Sequence, residues 1–241
     1  MLRIKNKSNK DNNNKNNKNK KAIFFMFVCM AFSVGLQLVS AQDFQISPSS
    51  GDSIQQALDK AQPGDVIHLK SGVYYQDFDT KRSGTSAAPI TITGPADAII
   101  KGAGRARIAQ IFHDYYRLEG FTFDGLAGDS NSAASYRDKL LYVQGTGNKE
   151  GVNGLKILKM HFKNSGGEAV RVRYFSHHNE IAYSTFENTG MYDFKFNGGG
   201  KNGESIYLGT SSNQWNDGKN PTADPDGSNH QGKKIWLWHW L

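Results

Sequence analysis

Val170-Arg-Val-Arg173 alternates apolar and cationic residues, so valines facing a core would place Arg171 and Arg173 together on the opposite surface. A planar guanidinium matches both oxygens of a carboxylate, which makes the pair a candidate anchor for an acidic ligand. The plainer alternative is an exposed pair balanced by neighbouring Glu or Asp. Glu168 and Glu204 hold equivalent places in two similar segments, Gly167-Glu-Ala-Val170 and Gly203-Glu-Ser-Ile206. Stacked one strand spacing apart, about 4.8 Å, two carboxylates repel unless a proton or cation lies between them, and calcium is the expected ion. Alternatively, each caps its own turn by accepting backbone N–H bonds. Lys195, between Phe194 and Phe196, would become a base if burial suppressed its charged form, and is otherwise a loop lysine. His177-His178 reads as a solvated turn, because adjacent residues on a strand diverge and make poor joint metal ligands.

These residues need a scaffold that repeats. Ile157-Leu-Lys-Met-His-Phe162-Lys-Asn164-Ser-Gly166 aligns without gaps on Ile181-Ala-Tyr-Ser-Thr-Phe186-Glu-Asn188-Thr-Gly190, an offset of 24 residues. An earlier copy around Phe121-Thr-Phe123 lies 39 residues before Phe162, the surplus being taken up by the Gly/Ser/Ala-rich stretch Ala127 to Arg137. Gly167 to Val172 matches Gly203 to Leu208 at an offset of 36, with the insertion around Asn197 to Lys201. A period in the twenties that tolerates insertions at set places signals a solenoid whose coils share one continuous core. The short β-branched and aromatic runs, broken by Gly and Asn, make each coil from two or three strands. The expected fold is therefore all-β, a right-handed parallel β-helix. Phe123, Phe162 and Phe186 should form an internal ladder, with Val170, Val172, Ile206 and Leu208 pointing inward. Asn164 and Asn188 should form a hydrogen-bonded ladder at the turns. Ser53 and Gln56 form a capping box ahead of Ile54, Ala57, Leu58 and Ala61, which predicts a short N-terminal helix covering the open end of the coil stack.

The chain begins with a different kind of sequence. Residues 1–21 are largely Lys and Asn, Ala22 to Val39 is apolar, and Val39-Ser40-Ala41 offers a small-residue cleavage site, the order of a secretory signal. The expected organisation is a leader over 1–41 and one domain over 42–241, secreted and monomeric, with a sequence after about 229 that follows no repeat. Eight of the 29 basic residues but only one of the 22 acidic ones lie in the leader, leaving 21 of each in the domain. The basic excess thus belongs to the leader, and the domain has no net basic footprint for nucleic acid. Cys29, the single cysteine, also lies in the leader, so the domain is held by its core rather than by disulfides.

Ser53-Ile-Gln-Gln-Ala-Leu through Gly72-Val-Tyr74, together with Ile90-Thr-Ile-Thr-Gly94, resembles the start of the pectin-lyase-like β-helix superfamily. Asn164-Ser-Gly-Gly-Glu168-Ala-Val-Arg171 is similar to a motif of the chondroitinase B and alginate lyase type, departing from it in having no second Glu two residues beyond Glu168. The resemblance implies a polysaccharide lyase that cleaves a uronate-containing glycan by β-elimination, with calcium held by Glu168 and Glu204. Arg171, Arg173 and Lys195 would act on the substrate. Read as exposed aromatics, Tyr192, Tyr207 and Trp215 are able to stack on sugar rings or equally to cover the core. A non-catalytic glycan-binding or structural β-helix, or a glycoside hydrolase on the same scaffold, are the alternative readings.

Overall fold

The computed structural model describes residues 40–209 except 50, 52, 148, 149 and 199–202. All of the expected leader but Ser40 and Ala41, together with Trp215 and the tail after 229, lies outside the described residues.

The strands build three parallel sheets, and from β2 onward each coil contributes one strand to each, β1 adding a sixth to the first. The first sheet holds β1 (Asp43–Ile46), β2 (Val66–Leu69), β5 (Ile90–Thr93), β8 (Tyr116–Glu119), β11 (Lys156–Leu158) and β14 (Glu180–Ala182). The second holds β3 (Gly72–Tyr74), β6 (Ala98–Ile100), β9 (Thr122–Asp124), β12 (His161–Lys163) and β15 (Thr185–Glu187). The third holds β4 (Phe78–Asp79), β7 (Arg107–Ile111), β10 (Lys139–Val143), β13 (Val170–Val172) and β16 (Ile206–Leu208). This is the parallel β-helix that the period predicts.

The predicted alignments are the observed registers. Ile157 pairs with Ile181, Phe162 with both Phe123 and Phe186, and Val170 with Ile206. Both predicted insertions fall in the connection from the second sheet to the third, so they lengthen a turn without shifting any strand. Inside the coil stack the rings of Phe123 and Phe162 are 5.6 Å apart and those of Phe162 and Phe186 are 5.1 Å apart, both stacked. Phe78, on the third sheet, stacks on Phe123 from across the core at 6.2 Å. Burial thins at β16: Ile206 is only partly buried and Leu208 is exposed, against the expectation that both would lie in the core.

The corners have their own chemistry. Asn164 and Asn188 both take left-handed backbone angles, which Asn tolerates better than most residues. Asn188 Nδ2 donates to Asn164 Oδ1 at 3.1 Å, and Asn164 Nδ2 donates to Asp124 Oδ1 at 2.8 Å, the ladder expected from the repeat. At the N-terminal end, α1 (Ile54–Lys60) carries the predicted capping box: Gln56 N donates to Ser53 Oγ and Ser53 N to Gln56 Oε1, each at 3.0 Å. Its buried face is Ile54, Ala57 and Leu58. Arg82 closes the other end of the helix by donating to the carbonyls of Ala61 and, at 2.9 Å, Asp59. No helix among the described residues is long and apolar enough to cross a membrane.

Tyr116 is fully buried in the core and its hydroxyl donates to the Arg82 carbonyl at 2.9 Å. Burial pushes this phenol up to about 12. Between pH 10, its ordinary value, and pH 12 the unfolded chain sheds this proton while the folded chain keeps it, so stability falls as pH rises. Two units correspond to about 2–3 kcal/mol lost over that window. Urea titrations below pH 10 and near pH 12 should show this decline in the native chain and a smaller one in Tyr116→Phe. Equal declines in both would locate the alkaline sensitivity elsewhere.

Candidate functional site

The outer face of the third sheet carries a cluster of charged side chains. Alternation turns Leu141, Val143, Val170 and Val172 into the core and Tyr142 and Arg171 to the opposite face, where their neighbours still bury both. In-register stacking then forms one column, Asp79, Gln110, Tyr142, Arg171 and Tyr207, each paired with the next across adjacent coils. Gln110 Nε2 donates to Asp79 Oδ1 at 3.0 Å, and Arg105 pairs with the same carboxylate at 2.5 Å. Arg107 donates to Gln110 Oε1 at 3.0 Å and its guanidinium lies 3.7 Å from the centre of the Tyr142 ring. Arg173 Nη1 donates to the Tyr142 hydroxyl at 2.9 Å. Arg171 lies 4.2 Å over the ring of Tyr207, the neighbour predicted for it from the 36-residue offset. Guanidinium-on-ring contacts of this kind contribute about 0.5–2 kcal/mol each and hold both groups in place.

A second column begins with Arg107 and Lys139, which pair directly, and the register of β10 with β13 extends it to Glu168. Glu168 is fully buried. Its Oε1 receives a 2.5 Å hydrogen bond from Arg171 Nη1, and its Oε2 lies 2.9 Å from Lys139 Nζ, an ion pair rather than a directed hydrogen bond. Lys139 also reaches Asp138 at 2.6 Å. Both oxygens of Glu168 are therefore engaged by cations, an environment opposite in sign to a calcium site. Glu204 stands at the equivalent register position but is exposed. Among the described residues, no group of three or more His, Cys, Asp or Glu is placed to hold a metal ion. The arrangement observed at Glu168 does not fit calcium. The expected mutual repulsion of Glu168 and Glu204 is replaced by neutralisation of Glu168 within its own face.

Other predicted residues fall into two groups. Arg171 and Arg173 share the third sheet as expected, yet Arg171 is only 8% exposed, covered by the ring of Tyr207 and tied to Glu168. Lys195 and Tyr192 belong to the connection from the second sheet to the third, around α2 (Met191–Phe194). Lys195 is exposed rather than buried between its aromatic neighbours, and its ammonium donates to the Ser130 carbonyl at 2.7 Å. The Tyr192 hydroxyl donates to the Tyr136 carbonyl at 2.7 Å, and burial, followed by the charge of Asp138, raises this phenol above its ordinary range. His177 and His178 sit at a turn with their Nδ1 atoms 2.6 Å apart, and His178 takes a left-handed backbone angle. Tyr142, Lys139, Arg105 and Arg107 were not singled out by the repeat. The alignment that would have exposed Tyr142 requires an offset of 29 to Arg171, and the Gly-rich stretch between β10 and β11 hides it.

The sequence model of the family described as chondroitinase B matches residues 49–196. This chain belongs to the chondroitinase B family. Within the family match lie Arg107, Lys139, Tyr142, Glu168, Arg171, Arg173 and Lys195, whereas Glu204 and Tyr207 follow it. Among solved structures, an alginate lyase from Paenibacillus sp. strain FPU-7 superposes with a TM-score of 0.57 at 24% identity, over 72% of this chain and 52% of its own. Pectate lyase Pel9A superposes with a TM-score of 0.49 at 15% identity, over 70% of this chain and 47% of its own. The first of these likenesses supports the fold of this chondroitinase B family member. The chain spans about half the length of either structure. No curated protein sequence matches it.

Proposed function

We propose that this chain is a polysaccharide lyase that cleaves an acidic, uronate-containing glycan by β-elimination on the outer face of the third sheet. The single observation that carries the reading is Tyr142 held between Arg107 on its ring and Arg173 at its hydroxyl, in register with Arg171, which shares Glu168 with Lys139 on the same sheet. Its membership in the chondroitinase B family and the alginate lyase that shares its fold support the same class of substrate.

β-Elimination makes three demands. A cation must offset the uronate carboxylate so that the adjacent carbon becomes acidic, a base must take that proton, and the leaving oxygen must be assisted. Arg173, half-buried and donating to Tyr142, is the guanidinium best placed to meet a carboxylate, with Arg171 behind it. Tyr207, half-buried over Arg171, is the phenol proposed to carry the proton, while the buried Tyr142 hydroxyl orients Arg173. Lys195, exposed and tied to the Ser130 carbonyl, contributes to substrate contact rather than acting as a buried base. The cations of this face take over the charge offset that calcium would supply, so turnover is expected without calcium. On the same proposal, residues 1–41 export a monomeric domain of 42–241 to meet its glycan outside the cell.

The test is to mix purified protein with alginate, pectate and chondroitin, with calcium or with a chelator, and follow the ultraviolet absorbance of the unsaturated product. Product with chelator present supports this reading. New reducing ends without absorbance would indicate hydrolysis, binding without either would indicate a non-catalytic surface, and turnover only with calcium would return the metal to the mechanism.

A further inference from the structure

The two insertions that interrupt the repeat meet. The first, between β9 and β10, includes Ser130 and Tyr136; the second, between β15 and β16, includes α2 and Phe196. Across them Tyr192 Oη donates to the Tyr136 carbonyl at 2.7 Å, Lys195 Nζ donates to the Ser130 carbonyl at 2.7 Å, and the rings of Phe196 and Tyr136 meet edge-on at 5.6 Å. The residues joined are 56 to 65 positions apart in sequence, so the turns of two non-adjacent coils lock over the shorter turn between them. This wall borders the third sheet, since Gly190 N donates to the Gly167 carbonyl at 3.0 Å and Gly203 directly precedes Glu204.

One apolar side chain on the wall faces water. Phe194 is 76% exposed, the most exposed large hydrophobic side chain among the described residues. Its ring lies on Gly190 and Gly203, where a β-carbon at either position would strike it. Glycine there is a matter of close approach: the two backbones come up against one edge of the ring and leave most of it in water. A lone ring is far smaller than the area of about 800 Å² per partner that a stable protein interface needs. It matches the C–H face of one sugar ring.

We propose that Phe194 is a stacking subsite for one pyranose ring of the glycan bound across the third sheet, with Lys195 beside it supplying a cation for that unit's carboxylate. This rests on the lyase reading above and adds to it a specificity-determining contact on the wall, away from the Arg173 and Tyr142 chemistry. Rigid mounting supports it, because a ring already held in place loses little freedom when a sugar stacks on it.

The test compares the native chain with Phe194→Ala and Phe194→Trp on alginate, pectate and chondroitin, by steady-state turnover and by retardation in gels containing each glycan. The expected result is a KM raised about tenfold in Phe194→Ala, with kcat and thermal midpoint unchanged and KM restored in Phe194→Trp. An unchanged KM in Phe194→Ala overturns the subsite while leaving the lyase intact. So does a raised KM accompanied by a lower thermal midpoint and no rescue by Trp, since that pattern marks a structural ring. If the native chain is retarded but forms no product, loss of retardation in Phe194→Ala still supports the subsite and only the lyase reading fails. If the native chain neither cleaves nor is retarded by any of the three, both fall.

Discussion

Arg173→Ala should lower kcat on the preferred glycan by about 10²–10³-fold, the scale seen when one preorganised donor to developing charge is removed. The guanidinium of Arg173 donates to the buried Tyr142 hydroxyl at 2.9 Å, so its removal deletes both a carboxylate partner and the contact that fixes its own position. Arg173→Lys keeps the charge but loses the planar fork, and should recover only part of the activity. Tyr142→Phe separates the two roles, since it removes the hydroxyl and leaves the ring on which Arg107 rests. Thermal midpoints decide whether a loss is chemical: Arg173 is half-buried on the sheet's outer face, so its substitution should shift the midpoint little. Full activity in Arg173→Ala would remove this face from the mechanism.

Glu168→Ala should cost about 3–5 kcal/mol of stability, because it strips buried Arg171 of its carboxylate and leaves partly buried Lys139 with Asp138 alone. Glu168→Gln should cost less, as its carbonyl can still accept from one of them. Calcium should change neither the native midpoint nor that of the variants. The opposite pattern, with stability unaffected by Glu168→Ala and a calcium-dependent midpoint in the native chain only, would restore Glu168 as a metal ligand. Both variants should also lose turnover, since Arg171 would no longer be held beneath Tyr207.

The scaffold was legible because a solenoid writes its geometry into a period. Phe162 and Phe186 lie 24 residues apart in sequence and stack at 5.1 Å, and Asn164 and Asn188 share both the interval and the corner. The capping box at Ser53 was legible for a related reason, since its partners lie within one helical turn. Even the insertions could be read as lengthened turns, because the strands on either side keep their register.

The electrostatic partners were a different matter. Whether Glu168 faces a cation or another carboxylate depends on Lys139, one coil earlier and displaced in sequence by a turn of irregular length. Tyr142 escaped notice for the same reason, and so did the contact of Lys195 with Ser130, 65 residues away on the other insertion. Residue types and intervals were enough to dictate the coil, its core ladder and the face on which Arg171 and Arg173 emerge. Folding in three dimensions decided which charges neutralise one another, how far Arg171 is covered and which aromatic ring stays open, because lateral contacts depend on the lengths of the insertions and these carry no period.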